Sequence, residues 1–143
     1  MNPADQSRNA QLPKLSKAAQ QVAETVASWD GVSAMGRISP WRVGHEHDID
    51  GIGFYVGQKE LGHIHLDSSA HVMLLSPALN LIVEAGFAHR SEWTADQVVI
   101  VIEDFATANW ATWLLELSYC QGPKTSARDV AAAIDLYSER NPK

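Results

Sequence analysis

Any chemistry in this chain has to come chiefly from its histidines. Five of the six fall in three short groups, His45-x-His47, His63-x-His65 and the single His71, with Glu46, Asp48, Asp50, Glu60 and Asp67 among them. Imidazole and carboxylate together suit zinc, iron or another divalent transition metal. Residues two apart on a strand project to the same face, so each His-x-His pair offers two imidazoles side by side. The metal candidates are His63 and His65 with His45 and His47, or with His71. The competing reading is a solvated sheet face whose histidines are hydrogen-bonded to neighbouring carboxylates. Asp48-Ile49-Asp50-Gly51 opens like a calcium loop, but the bidentate glutamate that must end such a loop would fall on Lys59, which excludes it. Glu60 and Asp67 form a candidate acid–base pair, set against the commoner role of solubilising a strand.

Other chemistries lack their residues. No Gly-x-Ser-x-Gly elbow and no phosphate loop occurs. Gly51-x-Gly53 lacks the third glycine of a dinucleotide fingerprint and follows a polar loop. The single Cys120 excludes an intrachain disulfide and a cysteine metal cluster, and near a helix C-terminus its thiolate is disfavoured. Of the five tryptophans, Trp29, Trp110 and Trp113 fall on helical stripes and read as core. Trp41 and Trp93 fall in irregular segments, where an aromatic is a local plug or a pocket wall. The abundance of structural aromatics favours the plug. Arg37, Arg42 and Arg90 can receive an anionic ligand, against a plainer reading as isolated surface arginines.

Composition bounds these readings. The chain has 143 residues, 45% hydrophobic and 20% charged, the make-up of one globular domain with a real core. Lys and Arg number 11 against 17 Asp and Glu, a net charge of −6. That balance disfavours a phosphate backbone or an anionic membrane as partner. No apolar run approaches a membrane span, and Met1 to Gln21 holds no signal-peptide core. A soluble, cytoplasmic protein is expected, binding neither nucleic acid nor membrane.

The elements that must position the histidines follow from hydrophobic spacing. Residues 1–12 read as a flexible leader and residues 13–143 as one domain. A helix is expected from Pro13 to Trp29, with Leu15, Ala18, Val22 and Val26 on one face and Gly31 stopping it. Val32 to Val43 is broken by Ser33, Gly36, Ser39 and Pro40 and yields only a short strand near Arg37–Ile38 or Trp41–Val43. The clearest feature is a hairpin, in which Ile52, Phe54 and Val56 alternate down one arm and Gly62, Ile64 and Leu66 along the other. A shared buried face needs even residues opposite even residues. That predicts a three-residue turn with Val56 opposite Glu60, Phe54 opposite Gly62 and Ile52 opposite Ile64. His63 and His65 then face away from the core, opposite Gly53 and Gly51, whose missing side chains leave room for a ligand. Extending the register would set His47 opposite Ser69 and His45 opposite His71. A third strand follows from Ala70 to Leu75, then a helix opened by Ser76 and Pro77, a polar connection from Phe87 to Asp96 and a strand over Val98–Ile102. A helix capped by Thr107 runs to Cys120, and a last helix starts at Ser126. The order α-β-β-β-α-β-α-α predicts an α+β two-layer sandwich, a mainly antiparallel four-stranded sheet with helices packed on one face.

The hairpin Gly53-Phe54-Tyr55-Val56-Gly57-Gln58-Lys59-Glu60-Leu61-Gly62-His63-Ile64-His65 resembles the core motif of the small luciferase-domain family. There a Gly-rich strand leads through a Lys/Arg-Glu turn into a Gly-His-x-His strand. Leu74 to Gly86, ending in Glu84-Ala85-Gly86, resembles that family's short strand and helix. Trp93 with Val98–Ile102 resembles its Trp-led last strand, and Leu114-Leu115-x-Leu117-Ser118-Tyr119 its closing helix. The resemblance spans residues 51–119 and leaves 124–143 as a C-terminal helical addition. The Phe87–Trp93 connection departs from it, keeping only His89. The resemblance implies a small α+β domain whose shared residues, Glu60, His63 and His65, sit on one hairpin. It implies no settled activity, light emission included. The element order also resembles double-wing α+β domains, which are often discussed as binding modules.

Three functions follow as expectations. A binding module would hold a small molecule or protein partner on the polar hairpin face through Glu60, His63, His65, Tyr55 and Trp93. A metal-dependent oxygenase or hydrolase would use zinc or iron on His63 and His65 with His45 and His47, or with His71. An assembly protein would form a homodimer through one of its helices.

Overall fold

The computed structural model describes residues 12–39, 41, 43–44, 46–120, 131–132 and 134–136. The expected leader, Leu12 aside, lies outside them, as do His45, Arg42 and most of the expected C-terminal addition. Helix α1 covers Lys17–Ala27. It starts a turn later than hydrophobic spacing predicts, because Ser16 caps it, its hydroxyl accepting from the Ala19 N–H at 3.3 Å. Ala19, Val22, Ala23 and Val26 form its buried stripe. Gly31 then turns the chain with φ +77°, a left-handed backbone that glycine adopts without steric cost.

Strand β1 (Val32–Ile38) corrects the sequence expectation. Ser33 and Gly36 do not break it: seven residues pair antiparallel with β2 (Ile49–Val56), with Ala34 opposite Phe54 and Gly36 opposite Ile52. The Ile49 side chain lies over Gly36. Cross-strand packing and backbone pairing here override weak local propensity. The remaining elements are β3 (Lys59–His65), β4 (Ser69–Met73), α2 (Ala78–Glu84), β5 (His89–Arg90), β6 (Gln97–Val101) and α3 (Phe105–Cys120). Residues 131–132 and 134–136 are also helical. The protein is α+β, with six strands in the order β1-β2-β3-β4-β6-β5, every neighbour antiparallel. The expected four strands are joined by β1 at one edge and the two-residue β5 at the other.

Ile52, Phe54, Ile64, Ala70, Val72, Val98 and Ile100 are buried and share one cluster with the stripes of α1, α2 and α3. Each fully buried side chain of this size contributes roughly 1.5–3 kcal/mol. Phe87 belongs to the core, set edge-on to Trp110 and Trp113 at 5.7 and 5.2 Å between ring centroids, so the connection after α2 is not simply polar. Two expected caps move. Asp104 Oδ1 accepts from the Thr107 N–H and Thr107 Oγ1 from the Asp104 N–H, a reciprocal cap that puts Thr107 inside the first turn of α3. Ser76 does not cap α2, whose N-cap residue is Pro77, with no side-chain bond. At the far end of α3 the Tyr119 hydroxyl donates to Asp30 O at 2.7 Å. No helix among the described residues is long and apolar enough to cross a membrane.

Candidate metal centre

The site begins with an irregularity in the hairpin. Phe54 opposite Gly62, Gly53 opposite His63 and Ile52 opposite Ile64 follow the expected register, but the turn does not. Tyr55 faces Glu60 and Val56 faces Lys59 around Gly57-Gln58, with a register shift between Phe54 and Tyr55. The expected three-residue turn is thus a two-residue turn plus a bulge, in which Leu61 has no partner on β2 or β4. In a regular strand residues three apart face opposite sides. The extra residue reverses that parity, so Glu60 shares a face with His63 while Leu61 turns into the core, 1% exposed. Leu61 C=O accepts from Ser118 Oγ on α3 at 3.0 Å, which satisfies a buried carbonyl at the bulge.

His63 and His65 project from β3, and His71 stands on β4 opposite His63. The three ring centroids form an equilateral triangle with sides of 4.8 Å. One donor atom from each ring lies within 4.8 Å of the others. Every Nδ1 meets an acceptor: Glu60 Oε1 at 3.1 Å for His63, Asp50 Oδ2 at 2.9 Å for His65, and Gln97 Oε1 at 3.4 Å for His71. An ionised carboxylate only accepts, so in the neutral ring Nδ1 of His63 and of His65 carries the proton and Nε2 keeps its lone pair. The carboxylates are themselves held, Asp50 by the Ser39 hydroxyl at 2.9 Å and Glu60 by an ion pair with Arg37.

Electrostatics favour the neutral form of His63 and of His71. Burial pushes the His63 imidazole down, and the neighbouring charges of Arg37 and His65 add to it against the opposing Glu60 bond. Burial, then the charges of His63 and His65, takes His71 to about 4. For Glu60 burial works upward, but the bond from His63 and the charges of His63 and Arg37 outweigh it and hold the carboxyl below its ordinary value. Glu60 and His63 therefore stand as carboxylate and neutral imidazole. Burial and the Glu60 charge together raise the Tyr55 hydroxyl.

A cleft of about 750 Å³ opens over the three rings, with Arg37, Trp41, Asp67 and Trp93 among its walls. Trp41 is 70% and Trp93 86% exposed, so both are pocket walls and not the plugs that their setting in sequence favours. Arg37 is no isolated surface arginine, since it lines the cleft and pairs with Glu60. Arg90, exposed, is hydrogen-bonded to Asn80. The room expected over the hairpin glycines is taken. A Cβ on Gly53 would come within 2.8 Å of the Tyr55 hydroxyl, and one on Gly51 (φ +148°) within 2.0 Å of Ile64 O. The open space lies on the β4 side, over His71.

Of the expected residues, the structure brings together His63, His65, His71 and Trp93. Glu60 stands beside His63 and Tyr55 beside Glu60 and Arg37, and neither lines the cleft. Asp67 does line it, its Oδ1 accepting from Ser69 N–H and Oγ at 2.9 and 2.6 Å, so Glu60 and Asp67 are not an acid–base pair across one cavity. His47 is exposed in the turn before β2 and stays out of the histidine group, and His45 lies outside the described residues. The strand extension that would align them with β4 does not form: β2 begins at Ile49, and Asp50 O accepts from the Leu66 N–H. Arg37, one of the arginines expected to receive an anion, does line the cleft, whereas Gln97 is missed by spacing, because β6 reaches this face only through tertiary pairing. No protein-family model, curated protein or solved structure matches the chain.

Proposed function

We propose that the chain is a metal-dependent hydrolase or hydratase of a small molecule, with a zinc-type ion held by His63, His65 and His71 at the floor of the cleft. One observation carries the reading. Three imidazoles converge within 4.8 Å, each with Nδ1 on an acceptor, the outer arrangement that fixes the tautomer and aim of metal-binding histidines. A polar face of histidines bonded to carboxylates would account for each pair separately. It gives no reason for three imidazoles to share one point.

Three nitrogen ligands would leave a zinc-type ion a fourth position for water or substrate, and the cleft over the rings has room for one. Glu60 and Asp50 are engaged at Nδ1, so the set favours zinc over an iron centre of two histidines and one carboxylate. Bound zinc lowers the pKa of its water to about 7, which supplies a nucleophile at neutral pH. The hairpin's resemblance to the small luciferase-domain family supports treating Glu60, His63 and His65 as one site. We assign the activity to the cytoplasm and to a small-molecule substrate in preference to a protein partner. A binding module without turnover would use the same cleft.

Elemental mass spectrometry of untagged protein tests the assignment. About one zinc per chain is expected, lost in His63→Ala/His65→Ala and in His71→Ala and retained in His47→Ala. Wild-type protein that stays metal-free after dialysis against zinc refutes the centre. Metal in His71→Ala but not in His47→Ala refutes this ligand set.

A further inference from the structure

Two tryptophans line the cleft from separate connections, Trp41 after β1 and Trp93 between β5 and β6. Leaving two large aromatic faces 70% and 86% in water forgoes burial that most aromatics obtain. The main chain that carries Trp93 is tied down: the backbone N–H groups of Trp93 and Thr94 donate to Ser91 Oγ at 3.1 and 3.4 Å. Meanwhile the polar groups of the cleft are largely committed. Asp67 Oδ1 accepts twice from Ser69, Gln97 Oε1 faces His71 Nδ1, and Arg37 pairs with Glu60. A polyhydroxylated compound such as a sugar would find few partners there. A flat ring would find two indole faces.

We propose that the cleft selects a small aromatic or heteroaromatic compound bearing one anionic oxygen head group, its ring against Trp41 and Trp93 and its head toward the three histidines. The head-group half rests on the metal reading above, since an ion held by three neutral imidazoles keeps its full positive charge and favours an anionic ligand. The ring half rests on the two tryptophans.

Cobalt(II)-substituted protein separates the two halves. Its visible bands are followed while benzohydroxamate and acetohydroxamate, which share a head group and differ in the ring, are titrated in turn. Benzohydroxamate is expected to bind about tenfold more tightly. Trp41→Ala and Trp93→Ala should each reduce that preference roughly threefold, and the double variant should abolish it with acetohydroxamate binding unchanged. Both side chains are exposed, so these variants fold. Bands that respond alike to both compounds, or a preference that survives in the double variant, overturn the aromatic selectivity and leave the metal site standing. If wild-type protein shows no cobalt bands, the metal site and the head-group half fall. Quenching of indole fluorescence by 2-naphthoate then decides the ring half: saturable quenching lost in the double variant sustains it, and its absence overturns it.

Discussion

Glu60→Gln tests whether the carboxylates behind the histidines serve the metal. Glu60 does not line the cleft over the histidines, so its effect on the proposed ion must pass through His63. Its Oε1 lies 3.1 Å from Nδ1, the two side chains being 17% and 4% exposed, and it holds the proton on Nδ1, which leaves Nε2 as the donor for the proposed metal. Glutamine is almost isosteric but neutral, and its amide can present either NH₂ or oxygen to Nδ1. With NH₂ presented, the imidazole proton moves to Nε2 and the metal donor is lost. Removing such an outer partner lowers metal affinity about 10- to 100-fold, about 1.4–2.7 kcal/mol. The charged 2.9 Å contact of Asp50 with His65 should matter as much, so Asp50→Asn should fall in the same range. The 3.4 Å contact of Gln97 with His71 is longer and neutral, so Gln97→Ala should cost less than about fivefold. Zinc affinity measured by competition with a fluorescent chelator, with far-ultraviolet circular dichroism to check the fold, gives the ranking. A folded Glu60→Gln protein with unchanged affinity, or a Gln97→Ala loss exceeding both, refutes the reasoning.

Ser118→Ala should lower stability by about 1–3 kcal/mol, because the Leu61 carbonyl at the bulge is then buried without a donor, and should weaken zinc binding by letting Glu60 drift; a melting temperature and zinc affinity both equal to wild type would contradict it. Among the glycines, Gly62→Ala meets backbone oxygen of His71 at 2.4 Å and Gly51→Ala that of Ile64 at 2.0 Å, whereas Gly53→Ala meets the movable end of Tyr55. Urea denaturation should therefore rank the first two as losing more than about 2 kcal/mol and Gly53→Ala less than about 1, the reverse order being the refuting one. In metal-free protein His71 has a folded pKa of about 4 against 6.5 as its ordinary value, so the unfolded chain binds that proton more tightly. Its contribution is full above pH about 6.5 and is lost as the pH falls toward 4, by about 1–2 kcal/mol once screening at a part-exposed ring is allowed for. In thermal melts across that range wild type should lose stability relative to His71→Gln toward the acid end, and parallel curves would refute the assignment.

Even positions carry the aliphatic residues on both arms of the hairpin, and that made the central register legible: Ile52–Ile64 and Phe54–Gly62 pair as spacing predicts. The same rule, continued to Ile64 opposite Ala70, sets His63 opposite His71, so the third ligand was within reach of the sequence. The pull of the His45-x-His47 repeat worked against it, because a period of two looks like strand wherever it occurs, and only the sheet decides where pairing ends. β1 was hidden for a related reason. Its serine, glycine and arginine are poor advertisements for a strand, and its stability comes from β2. Nor can spacing tell a wall from a plug for Trp41 and Trp93, which differ from buried indoles only in what the rest of the fold leaves uncovered.

Leu61 carries the strongest lesson. Between Ile52 and Leu66 it is the one aliphatic residue at an odd position, and such a break in alternation is the trace a bulge leaves in sequence. Its consequence reaches the site. Without the extra residue Glu60 would face the core, where an ionised carboxylate is untenable, and His63 would lose the acceptor that fixes its tautomer. With it, Glu60 comes to the open face one step behind the imidazole, near enough to orient the ring yet outside the cleft where it would compete for the metal. The buried Leu61 side chain and the Ser118 bond hold that displacement in place. The carboxylate's distance from the cleft is therefore fixed by packing on the opposite side of the sheet, and the chemistry proposed for the three histidines depends on a residue that never approaches them.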